Sequence, residues 1–510
     1  MFKIQREKGF ANFHRYLIMV IIFILLFVPF DNAKAEEGVS AKKLEQITSY
    51  FKEQLEQTSI PGASLTIVSD KDQLVTATYG VTKLKGEEPV KDTTSFEIGS
   101  LTKSMTAMAI LQLVQQEVLT LDDLVVDHLP WFKIGDGKLS SSITIRQLLS
   151  HTSGLATNTH GVVWNDVERI RPSIIESVKE LKNAKLKEEP GEEFAYANMG
   201  YAILGAVIEE VTGQSYRDYI SSHVFDPLQM GYTIIDHSYV PQLDIATPHK
   251  WLFGLQTEAT LGSNSPFMIS AGSMTISSAP DMGNYLMEWL LDDHSTVLEE
   301  SSIKDAFKSE ARVENNKYYG LGWFVTTIDG TDVIYHPGGT EGSTSFAALI
   351  PSMNIGLVML ANSTTGYVTP MGMEMIDLML GNKAESVVGG YDSQKIVSVV
   401  ELIMALLALV LLVWLFGSVA SRRFLKGRKW VAVLRCIFMI TLFGCYLLFM
   451  SIAVTGMGLP GPFGVRGYPL DFLIGVGGVL ASLGLWTVYS IVALFTVKKR
   501  TTFGTGKFNF

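Results

Sequence analysis

Ser100 and Lys103 stand three residues apart at the head of an apolar run, Leu101 to Leu113. On an α-helix that spacing puts both side chains on one face. A serine hydroxyl is a weak nucleophile at neutral pH, and an amine one turn away can take its proton if burial keeps that amine partly neutral. Met105, Met108, Ala109, Leu111 and Leu113 recur at helical spacing, which predicts a buried helix whose first turn carries Ser100. At a helix N-terminus the N–H of Ser100 itself becomes a donor for the oxyanion formed on attack.

The same Ser-x-x-Lys spacing occurs at Ser40/Lys43, Ser49/Lys52 and Ser301/Lys304, where the flanking residues read as solvated helix surface. Ser100 is set apart by two motifs further along the chain. Tyr196-Ala197-Asn198 leads into the helical run Ala202 to Val211. A tyrosine beside the serine and lysine can act as a phenolate base or relay a proton to the leaving group, and the Asn198 amide can hold a substrate carbonyl while orienting the lysine. Beyond it, Tyr335-His336-Pro337-Gly338-Gly339 closes a β-rich run. Glycine there lets a substrate backbone approach closely, and the Gly339 N–H offers a second oxyanion donor.

The elements that must carry these groups are legible in outline. Residues 41–57 read as an amphipathic helix with Leu44, Ile47, Phe51 and Leu55 on one side. Ala63 to Val68 and Gln73 to Tyr79 are β-rich runs joined by Asp70-Lys71-Asp72, a hairpin. From the Ser100 helix to about residue 290 the periodicity is mostly helical. A second β-rich block returns as Leu321 to Ile328, Asp332 to His336, Ser345 to Ile350 and Ile355 to Ala361, and Met371 to Leu380 reads as a closing helix. Strands at both ends with helices between imply an α+β fold. Its antiparallel sheet is built from the two chain ends, is flanked by the terminal helices, and carries an inserted helical lobe. A cleft between sheet and lobe is a natural place for a site.

In order and separation the three motifs resemble those of the penicillin-recognising serine hydrolases, in the class C β-lactamase and D-alanyl-D-alanine peptidase-like branch. That branch carries Ser-x-x-Lys, then Tyr-x-Asn, then Lys/His-x-Gly, here Ser100/Lys103, Tyr196/Asn198 and His336/Gly338. The stretches Leu149-Ser150-His151-Thr152-Ser153-Gly154-Leu155 and Tyr319-Gly320-Leu321-Gly322-Trp323 are similar to further signatures of the branch. The resemblance runs over about residues 41–382. It implies the β-lactamase/transpeptidase-like version of the fold and acylation of Ser100, with Lys103 and Tyr196 sharing the base role. It also implies substrate and oxyanion contacts from Asn198, His336, Gly338 and Gly339, and no metal or organic cofactor.

His336 stands in place of lysine and Pro337 in place of a hydroxyl residue. Those replacements remove groups that true β-lactamases use on the β-lactam carboxylate. The implied reaction is therefore hydrolysis of a D-amino-acid peptide amide or ester, cell-wall related. Two alternatives remain: a prodrug-maturation D-amino peptidase of a secondary-metabolite pathway, and a penicillin-binding sensor that acylates without turning over. The implied partner is a small peptide or ester, either a cell-wall precursor or an acylated metabolite.

Charge and apolar content bound the rest. The chain of 510 residues has a net charge of -10, but residues 36–390 hold 24 basic and 46 acidic residues, so nucleic acid is an unsuited partner. The two cysteines, Cys436 and Cys445, lie in an apolar C-terminal run, which leaves the acidic region without a thiol nucleophile, disulfide or thiolate metal site. Lys3, Arg6, Lys8 and Arg15, the apolar run Leu17 to Phe30 and Ala33-Lys34-Ala35 have the layout of a signal peptide over residues 1–35. The hydrolase domain then occupies 36–385 and a linker 386–395. Three apolar runs, 396–420, 431–457 and 472–497, are each long enough to span a bilayer. The basic segment Arg422 to Lys429 and Lys498-Lys499-Arg500 place the loop after the first run and the C-terminus in the cytoplasm, and the catalytic domain outside a cell membrane crossed several times.

Overall fold

The computed structural model describes residues 39–69, 71–135, 137–155, 173–235, 243–261, 270–290, 296–389, 392–420, 433–434, 437–438, 440–442 and 470–496. The signal-peptide layout, the residues Asp70 and Arg422 to Lys429, and the basic group at 498–500 lie outside them, as does most of the 431–457 run.

The strands of the folded domain are β1 (Gly62–Ser69), β2 (Gln73–Gly80), β3 (Ser95–Glu97), β4 (Ile234–Ile235), β5 (His249–Leu252), β6 (Leu255–Glu258) and β7 (Thr275–Ser278). They continue with β8 (Ala311–Glu314), β9 (Lys317–Tyr319), β10 (Phe324–Ile328), β11 (Thr331–Gly339), β12 (Thr344–Ile350) and β13 (Ile355–Ala361). Eight form one antiparallel sheet in the order β2-β1-β13-β12-β11-β10-β9-β8. The N-terminal hairpin is joined to the C-terminal strands where β1 pairs β13, with Leu65 opposite Met359 and Thr66 opposite Val358. The sheet made from the two chain ends is thus present as expected.

Register explains why these strands read as nearly continuous apolar runs. Leu65, Met359 and Phe346 share one face of the sheet, and Thr66, Val358 and Ala347 share the other. Phe346 meets Gly372 of the helix Val368–Leu380, while Thr66 and Val68 meet Gly283 of the helix Ala279–Glu288. Both faces are covered, so β13 is buried along its whole length. The helix Ala41–Glu56 buries Ile47, Phe51 and Leu55. It is tied to the closing helix by Lys43 Nζ, which donates to the Met379 carbonyl at 2.8 Å.

The sequence pattern misses the short strands between the two halves of the sheet. β3, β7 and β4 form a second sheet, and β5 with β6 a separate hairpin. Elements of two to four residues are too brief for a period of two to emerge. The run expected to be strand from Leu321 begins pairing only at Phe324, because Gly320 to Trp323 is a tight turn closed by Gly320 N–H to the Trp323 carbonyl at 2.8 Å.

Two long helices follow the folded domain, Ser393–Ala420 and Leu470–Thr496. Both are long and apolar enough to cross a membrane, and among the described residues they are two rather than three. Ser482 Oγ donates to the Ala408 carbonyl at 3.1 Å, Trp486 Nε1 to Leu411 at 2.7 Å, and Tyr489 O–H to Ser418 at 3.4 Å. Contacts advance together along both helices, so the two run parallel.

Candidate active site

Gly99 decides where Ser100 sits. Its φ of +53° cannot extend a right-handed helix, and Gly99–Leu101 forms a 3-10 turn ahead of the α-helix Thr102–Gln115. Ser100 therefore occupies that turn rather than the α-helix itself, still one turn before Lys103. The turn is fastened by Thr102 Oγ1, which donates to the Gly99 carbonyl at 2.7 Å. The end of β11 presses directly on it. A Cβ on Gly99 would meet Gly339 N at 2.5 Å, and one on Gly338 would meet the Ile98 carbonyl oxygen at 2.2 Å and Ser345 Oγ at 2.1 Å. The close approach that makes Gly338 glycine is thus to the turn carrying Ser100, whereas Gly339 is exposed and faces open space.

Lys103 is sealed from solvent while Ser100 stays partly accessible. Lys103 Nζ lies 3.1 Å from Ser100 Oγ and donates to the Gly272 carbonyl at 2.8 Å. Burial lowers the Lys103 pKa to about 7, so a large share of the amine is neutral at physiological pH. The amine also lies 4.9 Å from the Tyr196 ring centre. The Tyr196 hydroxyl is hydrogen-bonded with Ser100, yet burial raises its pKa above the ordinary phenol value. Tyr196 is thereby held as a phenol. Serine, amine and phenol form one hydrogen-bonded group able to pass a proton between its members.

The Leu149 to Leu155 stretch proves to be the clamp on Tyr196. The helix Ile145–Leu149 ends there, and His151 takes a left-handed φ of +59°. Its carbonyl accepts from Ala195 N–H at 2.8 Å and its Nδ1 accepts from Ala197 N–H at 3.1 Å, gripping the chain on both sides of Tyr196. The two rings lie against each other, centres 4.3 Å apart and planes tilted by 39°. Tyr201, one helical turn past Asn198, donates its hydroxyl to the Leu149 carbonyl at 2.9 Å. Asn198 opens the helix Asn198–Thr212 beside Gly272, whose Cβ position would lie 3.7 Å from both the Asn198 carbonyl and Lys103 Nζ.

His336 is brought next to this group but turned into the wall. Its Nδ1 donates to the Pro337 carbonyl at 2.7 Å, and its Nε2 accepts from the Tyr319 hydroxyl at 3.0 Å. Burial, reinforced by the Lys103 charge, lowers its pKa to about 3, and burial likewise pushes His151 well below the usual imidazole range. Two neutral imidazoles beside Lys103 add no further positive charge to the pocket. Tyr319 is the residue that fixes His336, and Gly272 the one that holds Lys103. The first lies in a stretch visible in the sequence, but its role is not. The second contributes only a main-chain oxygen from a distant turn, for which no sequence signal exists.

Similarity to known proteins agrees with this geometry. Residues 47–376 match the family model described as Beta-lactamase. Protein flp of Staphylococcus aureus strain MW2 is 30% identical over 378 residues, covering 72% of this chain and 73% of that protein. Penicillin-binding protein 4 of Amycolatopsis lactamdurans is 26% identical over 366 residues, covering 69% and 92%. Among solved structures, the octameric penicillin-binding protein homologue from Pyrococcus abyssi superposes with a TM-score of 0.59 at 27% identity, over 67% of this chain and 78% of that one. A family match across most of the folded domain, with relatives among penicillin-binding proteins, means that the chain belongs to the β-lactamase family and is a serine hydrolase of the β-lactamase/transpeptidase fold.

Proposed function

We propose that the chain is a membrane-anchored, extracytoplasmic hydrolase that works through an acyl-enzyme on Ser100 and acts on a D-amino-acid peptide amide or ester of the cell-wall type. One observation carries the reading: a solvent-sealed amine with a pKa near 7 stands 3.1 Å from a partly accessible serine hydroxyl. Neutral Lys103 takes the Ser100 proton as Oγ bonds to the substrate carbonyl carbon. The carbonyl electron pair moves onto oxygen, held by the N–H groups of Ser100 and Gly339. Collapse breaks the bond to the amine or alcohol, which leaves with the proton returned by Lys103 through the Tyr196 hydroxyl. Water, deprotonated by the same pair, then attacks the acyl ester and restores Ser100.

The phenol state of Tyr196 favours a relay role for it, with Lys103 as the base. Asn198 serves the substrate amide, and Gly338 and Gly339 offer backbone along one edge. His336, engaged at both nitrogens, shapes the wall behind that edge and supplies no positive charge to a substrate carboxylate.

The membrane part of the reading is supported by the outward faces of the C-terminal helices. Val410 and Val413 are each 63% exposed and Phe416 68%, a band of apolar side chains that suits lipid and not water. If both parallel helices cross the bilayer, the chain between them must return, which supports the 431–457 run as a third span.

The test is intact mass of the full chain in detergent, followed in time with a fluorescent penicillin and a panel of small D-alanyl esters and peptides. An adduct on the wild type, absent from Ser100→Ala, that decays with product release is expected. An adduct that never decays would favour the sensor alternative, and an adduct persisting in Ser100→Ala would overturn the nucleophile.

A further inference from the structure

The hairpin of β5 and β6 has a firm base and an apolar tip. At the base, His249 N–H donates to the Gly342 carbonyl at 2.8 Å and its Nδ1 to the Asn362 carbonyl at 2.8 Å, and its Nε2 accepts from Leu84 N–H at 2.9 Å. Lys250 pairs with Glu341, and Lys83 with Glu258 at 3.1 Å. The tip is Trp251-Leu252-Phe253-Gly254-Leu255. Phe253 and Gly254 both have positive φ, the two-residue turn natural to a hairpin. Leu255 is 71% exposed.

The tip rests on the first two turns of the helix Ser393–Ala420. Gly254 N–H donates to Ser398 Oγ at 3.0 Å, a Cβ on Gly254 would meet Val399 Cγ2 at 2.8 Å, and Lys395 Nζ lies 5.3 Å over the Trp251 ring. The helix start is itself pinned to the domain, since Asp392 accepts from Thr365 Oγ1 at 2.9 Å and Gly366 N–H at 3.2 Å.

These contacts fix a depth. The apolar span runs from Gln394 to Val419, 26 residues, or about 39 Å of helix, against a hydrocarbon core of about 30 Å. Centred in the bilayer, the helix enters the hydrocarbon a few residues after Gln394, near the level of Ser398 and Val399. Gly254 touches those two residues, so the hairpin tip lies at the same level.

We propose that Trp251 to Leu255 docks into the head-group layer of the lipid bilayer on the side where this helix begins. The proposal rests on the membrane-spanning part of the functional reading above. The tip has the chemistry of an interfacial anchor: an indole under a lysine, with exposed leucine beside it. It also bears on the site. The base of the hairpin touches Gly342, and the turn Thr340 to Ser343 joins β11 to β12 directly after Gly339. Thr340 Oγ1 in turn donates to Glu97, three residues before Ser100, at 2.8 Å. By chain length alone, the exposed edge at Gly339 lies within about 30 Å of the lipid surface. Docking thereby holds the site within reach of acyl groups carried on molecules anchored in that same membrane.

The experiment uses the full-length chain in vesicles of phosphatidylcholine and phosphatidylglycerol, with Cys436→Ser and Cys445→Ser leaving no other thiol. A nitrobenzoxadiazole label goes on Leu255→Cys, and as a reference on Asn315→Cys in the exposed β8–β9 turn. Expected is a blue-shifted label at 255, quenched by lipids carrying a nitroxide near the head group, with the label at 315 unquenched. Equal, unquenched emission at both sites in protein that stays with the vesicles through an alkaline wash overturns the docking while the membrane reading stands. Release of the protein by that wash overturns both.

Discussion

Two of the four Ser-x-x-Lys pairs in this molecule, Ser100/Lys103 and Ser301/Lys304, share a spacing and behave as different chemistry. At Ser100 and Lys103 the amine is fully buried, faces a main-chain carbonyl and carries a pKa near 7. At Ser301 and Lys304, on the helix Glu300–Ala306, the serine is exposed, the lysine side chain is 69% exposed, and the amine pairs with Glu300 four residues earlier. Water stabilises the second ammonium and a carboxylate holds it. Neither is available to the first. Spacing provides proximity in both places, and only desolvation turns proximity into a base.

The comparison breaks most visibly at the proposed nucleophile. Ser100→Ala should lower kcat/KM on a small D-alanyl ester by about a millionfold, while Ser301→Ala leaves it unchanged. Comparable losses in the two variants would end the distinction. Next in size, Lys103→Ala should cost about 10²–10⁴-fold in the acylation rate followed by stopped-flow, and Lys304→Ala nothing measurable.

The pH dependence sharpens the same point. With neutral Lys103 as the proposed base, the acylation rate should rise as pH climbs through about 7 and then level off. An inflection near the ordinary lysine value of 10.5 would mean that burial does not set the base. Stability carries the matching sign. The folded pKa lies below the unfolded one, so between about 7 and 10.5 the unfolded chain binds more protons and stability climbs with pH. Lys103→Met should remove that slope in urea titrations taken across the window, whereas Lys304→Met keeps it.

The smallest effect concerns the wall. Tyr319→Phe deletes the donor to His336 Nε2 and leaves a buried acceptor unmet, a loss of about 1–3 kcal/mol. It should raise KM more than it lowers kcat on a steady-state ester assay, because His336 stands behind the substrate edge rather than on the proton path. An equal fall in kcat with KM unchanged would move His336 onto that path.

The residues of the candidate site were legible because their chemistry is local and their order matches a family pattern. Ser100, Lys103, Tyr196, Asn198, His336, Gly338 and Gly339 all stand out by type and spacing, and the structure gathers them around one turn and one strand end. The strands β1, β12 and β13 were legible because burial on both faces writes long apolar runs, whereas β8 and β9, of 4 and 3 residues at the edge of the same sheet, were not. The small sheet of β3, β7 and β4 was not, since its strands are held by neighbours distant in sequence and carry no period of their own. The placement of Ser100 in a 3-10 turn also escaped the pattern, because a single positive φ at Gly99 leaves no trace in hydrophobic periodicity.

Sequence alone determined which groups could react and in what order the chain presents them, since residue type and covalent spacing are intrinsic to it. Tertiary structure decided which of four Ser-x-x-Lys pairs loses its water. It decided that the Gly272 carbonyl meets Lys103, that His151 clamps Tyr196, and that the β5–β6 tip lies on the first turns of an apolar helix. The physical reason is common to all of these. Desolvation and main-chain hydrogen bonding are set by atoms far away along the chain, and nothing in a local stretch of sequence encodes how closely those atoms will approach.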